Sequence, residues 1–271
     1  MMPGMTSRRT VVVSGSASGM GAATLARLEA LGQQLIGIDI EDAPVRADLG
    51  TVEGRQAALD AVAELAGPRG AIDGLVTFAG LPGLTGTRGS LLASVNYFGT
   101  VALMEGLRPL LARGDQAAAV VISSNSTTCQ PGVPMDVVER CLAGDEAGAR
   151  EAADAATALA TYPATKLALA RWARRKAPMP EWAGAGITLN VVAPGAIETP
   201  LLQATREDPT IGPFVDAFPI PVGRKGTAAE LAEFVCWLLG PNARFFCGSV
   251  LFVDGGTDAQ LRADDFPIPM A

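Results

Sequence analysis

The chain has 271 residues, 49% of them apolar and 18% charged, which is enough for a substantial core and excludes global disorder. A formal net charge of −7 with no basic block is poorly suited to nucleic acid or to an anionic membrane surface. There is no histidine, which removes Ser-His-Asp and Cys-His nucleophiles, His-ligated zinc and the usual proton shuttle near neutral pH.

Short apolar runs alternate with amphipathic ones along the chain. Arg8-Arg9 is followed by only Val11–Val13 before Ser14-Gly15, too short a core for a secretory signal. Val11–Val13 predicts a first strand and Met20–Leu31 a first helix. Leu35–Ile38 predicts the next strand, Val45–Ala47 a third, and Thr51–Leu65 a helix. Leu75–Phe78 and Ala117–Ile122 read as strands on either side of a helix over Leu91–Leu111. The rhythm then breaks at Ser126–Ala160. That segment opens on Gln130-Pro131-Gly132-Val133-Pro134, and Gly144 and Gly148 predict two short helices in it rather than one.

A helix over Ala164–Lys176 and a strand over Ile187–Val192 follow. Pro194–Lys225, with prolines at 194, 200, 209, 213, 219 and 221, reads as an irregular lid or binding loop. Thr227 and Glu230 predict a capped start to a helix over Ala228–Leu239, and Val250–Val253 is the last strand. Continuous apolar strands alternating with helices predict an α/β fold, a doubly wound parallel sheet in one domain spanning 1–271. No apolar run approaches about 18 residues, so no membrane span is expected. Cys129, Cys141, Cys236 and Cys247 lack CxxC or metal-ligand spacing, which predicts free thiols, a cytoplasmic protein and no metal.

The first strand runs into Ser14-Gly15-Ser16-Ala17-Ser18-Gly19-Met20-Gly21. Gly15 would allow a tight exit, Gly19 would let the backbone approach a pyrophosphate, and Gly21 would let the helix pack close, with phosphates met by free N–H groups at the helix start. Asp39 follows the second strand about 20 residues on, where a carboxylate accepts both ribose hydroxyls of adenosine and repels a 2′-phosphate. Neither Ser16 nor Ile40 offers a cation, so NAD is expected over NADP. Asp48-Leu49 would flank the adenine, although a solvated turn explains that aspartate nearly as well.

The chain has two tyrosines and three lysines, and Tyr162 stands four residues before Lys166. On a helix those side chains share a face. A phenol is a poor base at neutral pH, but one ammonium about 4 Å away at an effective dielectric near 20 favours phenolate by about 4 kcal/mol, less what desolvation takes back. Tyr162 can therefore move a proton where histidine is missing.

Together, Gly15-x-x-x-Gly19-x-Gly21, Asn96, Ser124, Tyr162-x-x-x-Lys166, Pro194-Gly195 and Asp254-Gly255-Gly256 resemble the short-chain dehydrogenase/reductase family, in its order and over nearly the whole chain. The resemblance implies that Tyr162 is the acid/base, that Ser124 holds the reacting oxygen, that Lys166 binds the nicotinamide ribose, and that Asn96 anchors a water in a proton relay. Ser123 stays open as the alternative to Ser124. Thr199, with Ile197 behind Pro194-Gly195, resembles the carboxamide contact, and Ala79-Gly80 keeps the close backbone approach. Two departures stand out. Thr77-Phe78 replaces the family's paired asparagines, and Pro163 follows Tyr162, which fits best if the helix starts there.

The long Ser124–Tyr162 interval is similar to the subgroup of bacterial hydroxysteroid dehydrogenases and carbonyl reductases, which implies oxidation of a secondary alcohol on a bulky apolar substrate. Leu201, Leu202, Ile211, Phe214, Val215 and Phe218 could line an apolar pocket under the loop. Since the tyrosine helix joins subunits in many relatives, a homo-oligomer is expected, with its interface remodelled by the insertion. The tail from Asp258, through Phe266-Pro267-Ile268-Pro269, either covers a neighbour's site or frays. Two other functions stay open: a catalytically silent dinucleotide sensor, and a reductase of activated C=C bonds or thioester-linked carbonyls.

Overall fold

The computed structural model describes residues 8–266, and within them strand and helix alternate from the start. β1 (Thr10–Ser14) leads into α1 (Gly19–Ala30), and β2 (Gln34–Asp39) and β3 (Val45–Arg46) precede α2 (Val52–Leu65). β4 (Gly74–Thr77) is followed by α3 (Gly89–Leu92), which passes through a π-helical stretch at Ala93–Gly99 into α4 (Thr100–Leu111). After β5 (Ala118–Ile122) come α5 (Ser126–Cys129), α6 (Met135–Ala143), α7 (Glu146–Ala155) and the long α8 (Ala158–Lys176). β6 (Thr188–Pro194), β7 (Ile197–Glu198), α9 (Pro200–Glu207), α10 (Gly212–Ala217), β8 (Gly226–Thr227), α11 (Ala228–Leu239), β9 (Val250–Val253) and α12 (Thr257–Leu261) complete the order.

Seven strands form one parallel sheet in the order β3-β2-β1-β4-β5-β6-β9. β1 and β4 lie side by side with Ser14 level with Thr77, yet the chain leaves them toward opposite edges. That reversal opens a crevice at the C-terminal ends of the strands. Both faces are covered, which is why the strands are apolar throughout. Val11, Val13 and Val76 pack with Leu28, Leu231 and Val235 under α1 and α11, while Val12, Leu75 and Val121 pack with Ala58, Leu107 and Leu169 under α2, α4 and α8. No helix among the described residues is long and apolar enough to cross a membrane.

Several local expectations are corrected. The single helix expected over Leu91–Leu111 is widened to π geometry at Ala93–Gly99, a feature that concentrates at functional sites. Gly144 does end α6, at φ 76°, but Gly148 breaks nothing: its amide caps α7 by donating to Asp145 Oδ1 at 2.9 Å. Pro194–Lys225 is not irregular, since it carries α9 and α10, and Thr199 caps α9 by accepting from the Leu202 amide. The cap expected at Thr227 forms in full, with the Glu230 carboxylate accepting from the Thr227 amide at 2.9 Å.

The start of α8 is the most consequential correction. Thr157 caps it by accepting from the Ala160 amide, so the helix begins before Tyr162 and Pro163 lies in its interior. A proline there cannot donate to the carbonyl one turn back. Gln130, at the start of the insertion, donates from Nε2 to that Leu159 carbonyl at 2.8 Å instead. The insertion also packs on the body of the chain: α6 lies against α8 and α7 against α3, burying Val137, Val138, Ala149 and Ala153.

Candidate active site

The glycine turn between β1 and α1 has little room for side chains. Gly15 adopts φ +69°, and a Cβ there would lie 2.6 Å from the Ala79 amide nitrogen; one at Gly21 would run into the Gly15 carbonyl. Gly19 has φ +53° and faces the Thr199 side chain, so it is the backbone geometry that favours a glycine there. Ser18 makes no side-chain cap and the first turn of α1 holds no acid, which leaves its amides and the positive helix end open toward an anion. Asp39 sits over the same turn, with Oδ2 accepting from the Ala17 amide at 2.9 Å and Oδ1 from the Ile40 amide at 2.7 Å.

Gly15, Ser18, Gly19, Met20 and Gly21 line one cleft of about 470 Å³, together with Asp39, Ile40, Asp48, Leu49, Ala79, Gly80 and Thr199. Asp48 also makes a local turn by accepting from the Gly50 amide at 2.8 Å. The cleft runs on into a recess of about 90 Å³ that contains Ser124, Tyr162, Lys166, Pro194, Gly195 and Ile197, with Gly80 and Thr199 shared between the two. Asn96 lines neither.

On α8, Tyr162 and Lys166 face this recess one turn apart. The Ser124 hydroxyl, just past β5, lines the same recess and accepts from the Ser126 amide at 3.2 Å. The Ser123 hydroxyl donates instead to the Lys166 carbonyl at 2.8 Å. Lys166 is 5% exposed, and Nζ donates to the Ile122 carbonyl at 3.1 Å. Burial pulls this amine down to about 8. Its nitrogen is 5.9 Å from the centre of the Tyr162 ring. Desolvation pushes the phenol above its ordinary value, and the Ser124 hydroxyl opposes that rise.

Asn96 is wholly buried at the centre of the π-helical stretch. Its Oδ1 accepts from the Leu81 amide at 2.7 Å, and its Nδ2 donates to the Leu81 carbonyl at 3.0 Å and the Thr165 hydroxyl at 3.4 Å. The side chain thus ties the loop after β4 to α8, behind Gly80. A Cβ added at Gly80 would lie 3.2 Å from Asn96 Oδ1 and 3.4 Å from Lys166 Nζ. Phe78, at the position where the family has asparagine, lines both compartments, while Thr77 keeps a buried hydroxyl without a partner. Leu81, Leu91 and Val95 also line the cleft; as isolated apolar residues they carry no sequence signal.

The lid is apolar where it meets the recess. Leu201 and Leu202 line it and Ile211 is buried, but Phe214 is 65% exposed and points away. α9 has eight residues and faces the recess with only its first turn, which leaves the short α10 outside. Asp208 fastens the lid. Its carboxylate accepts from the Thr85 amide at 2.7 Å and the Thr85 hydroxyl at 2.9 Å, across to the loop after β4. The tail turns into α12, where the buried Asp258 accepts from Arg262 at 3.0 Å; residues 267–271 lie outside the described residues.

A phenol placed to move protons, beside a phosphate cradle at the sheet's switch point, marks an oxidoreductase of the Rossmann type. Comparison with known proteins gives the family. A model described as Enoyl-(Acyl carrier protein) reductase matches residues 147–258. The chain is 42% identical to 3-alpha-hydroxysteroid dehydrogenase/carbonyl reductase of Comamonas testosteroni, over 94% of its own length and 99% of that protein. It superposes with TM-score 0.90 and 47% identity on the crystal structure of the 3-alpha-hydroxysteroid dehydrogenase from Pseudomonas sp. B-0831 complexed with NADH, covering 95% of this chain and all of that one. The chain belongs to the short-chain dehydrogenase/reductase family.

Proposed function

We propose that the chain interconverts a secondary alcohol and a ketone on a bulky apolar substrate, using NAD(H), with Tyr162 as the acid/base. The observation that carries this reading is the meeting of two half-sites in one cleft: the glycine turn under Asp39, and the Ser124–Tyr162–Lys166 group just past β5 and on α8. The residues fit the dinucleotide on the structure's own terms. The first-turn amides of α1 are unspent, the turn rejects any Cβ at Gly15 and Gly21, and no lysine or arginine lines the cleft that holds Asp39, although Arg46 of β3 is level with it in the sheet. The same class of cofactor and substrate appears in the names of the relatives above.

When bound, the nicotinamide supplies or takes up the hydride. The chain's own residues do the rest. For reduction, Tyr162 donates its proton to the carbonyl oxygen while the Ser124 hydroxyl stabilises the charge developing there. Lys166 then favours the phenolate left behind, and in oxidation the same groups run in reverse. Leu201, Leu202 and Ile197 present apolar surface to the body of the substrate. We further propose that the chain is cytoplasmic and works as a homo-oligomer, with the outer face of α8 covered by its own insertion.

The test is NADH against NADPH across steroid, terpenoid and aromatic ketones, with Tyr162→Phe alongside. Turnover with NADH that falls by about a thousandfold or more in Tyr162→Phe, while NADH still binds, supports the reading. Substantial turnover by that variant, or a clear NADPH preference, counts against it.

A further inference from the structure

One ion pair, buried on its arginine side and partly exposed on its glutamate side, joins the insertion to the cofactor cleft. Arg55, in the first turns of α2, is 7% exposed although it carries a full charge. Its guanidinium uses both faces of its fork. Nε donates to the Leu49 carbonyl at 2.8 Å, and Nη2 donates to the Ser94 carbonyl at 3.0 Å. Nη1 and Nη2 together grip Glu146, each at 2.7 Å, at the first residue of α7. Leu49 lines the end of the cleft beside Asp39, and its carbonyl also rests against Gly99, where a Cβ would lie 2.8 Å away. Ser94 lies in the π-helical stretch, next to Val95 in the cleft lining and two residues before Asn96.

The pair has support on every side. The Ser94 hydroxyl donates to Glu146 at 3.1 Å and in turn accepts from Arg150 of α7. Burial works against the Glu146 charge, but the hydrogen bonds and charge of Arg55 hold its carboxyl below the usual range. Desolvating the guanidinium makes a pair of this kind a costly way to gain stability alone. Its distinctive property is geometric, because only a planar, five-donor guanidinium can hold two carbonyls and a carboxylate in fixed relation.

We infer that Arg55 and Glu146 are positioning residues through which the insertion sets the adenosine end of the dinucleotide cleft, by fixing the Leu49 carbonyl against the π-helical stretch. Neither residue touches the cofactor. Their effect falls on cofactor affinity rather than on proton transfer at Tyr162. This inference rests on the dinucleotide reading above.

The test compares Glu146→Gln, Arg55→Lys and the exchange Arg55→Glu/Glu146→Arg with the intact protein, titrating NADH and ADP-ribose and recording thermal melts and kcat. Glu146→Gln keeps the shape and loses the charge; it should weaken NADH and ADP-ribose equally, by about tenfold, with kcat at saturating NADH within about twofold. Arg55→Lys should fall between, because a single ammonium cannot hold both carbonyls. The exchange should not rescue affinity, since a glutamate at 55 has no donor for Leu49 or Ser94. Unchanged ADP-ribose affinity in variants whose melting temperatures drop, or full rescue by the exchange, would show a purely structural tie and overturn the inference. Intact protein that binds neither NADH nor ADP-ribose would overturn the dinucleotide reading itself.

Discussion

Lys166 is the residue at which stability and chemistry conflict most directly. Its amine is lowered from 10.5 to about 8 by burial, with the Ile122 carbonyl accepting its hydrogen bond. Between those two values the unfolded chain holds a proton that the folded chain has released, so the contribution of this group to stability rises with pH across that window. Below about 8 both states are charged and the full burial cost, on the order of 3 kcal/mol, is present. Lys166→Met should therefore melt higher than the intact protein at pH 7 without cofactor, by ~1–3 kcal/mol less the lost bond to Ile122, and this advantage should vanish by about pH 10. Paired thermal melts at the two pH values check it; a gain that persists unchanged into alkali would mean that desolvation is not its origin. Residues at this scale were well marked in the sequence, because Tyr162 and Lys166 are rare residue types at helical spacing. What spacing could not convey is where each amine and hydroxyl points, which is why Ser123 and Ser124 separate only once their partners are seen.

Helix α8 is where local rules and tertiary structure disagree. A proline after Tyr162 argues for a helix start, and the residue before a proline is biased away from helical angles. Thr157 nevertheless caps the helix further back, and the burial of Thr161, Ala164 and Ala168 outweighs the local penalty. Gln130 relieves the remaining defect by bonding the Leu159 carbonyl. Gln130→Ala should lower kcat a few-fold with little change in NADH affinity, because the freed carbonyl loosens the turn leading into Tyr162. In a Pro163→Ala background, where a backbone amide is restored, the same change should be nearly silent, for a coupling of ~0.5–1 kcal/mol, limited because Leu159 is itself partly solvated. Strictly additive effects would dissociate Gln130 from Pro163. The π-helical stretch was likewise invisible in advance, since Leu91–Leu111 has an unbroken helical period and the Arg55 contact with the Ser94 carbonyl comes from a distant part of the chain.

At the scale of the whole molecule, alternation of apolar strands and amphipathic helices was enough to anticipate the parallel sheet and its single domain. Pairings between distant residues were not legible. Arg55 meets Glu146 across 91 positions, and Thr85 meets Asp208 across 123, with no local pattern to announce either. The insertion lies on α8 and α3, so a partner subunit that docks on that side meets α6 and α7 rather than α8 itself. Light scattering should return a multiple of 27.8 kDa, and a monomer at micromolar concentration would remove the assembly proposal. The fastening at Asp208 has one more consequence. Its partner loop also carries Leu81, which Asn96 grips from behind, so the lid and the inner wall of the cleft are one mechanical unit. Swinging the lid away from the loop after β4 breaks the two bonds from Thr85. Wherever exchange of reactant for product needs that movement, the tether adds to the barrier of release and leaves that of proton transfer unchanged.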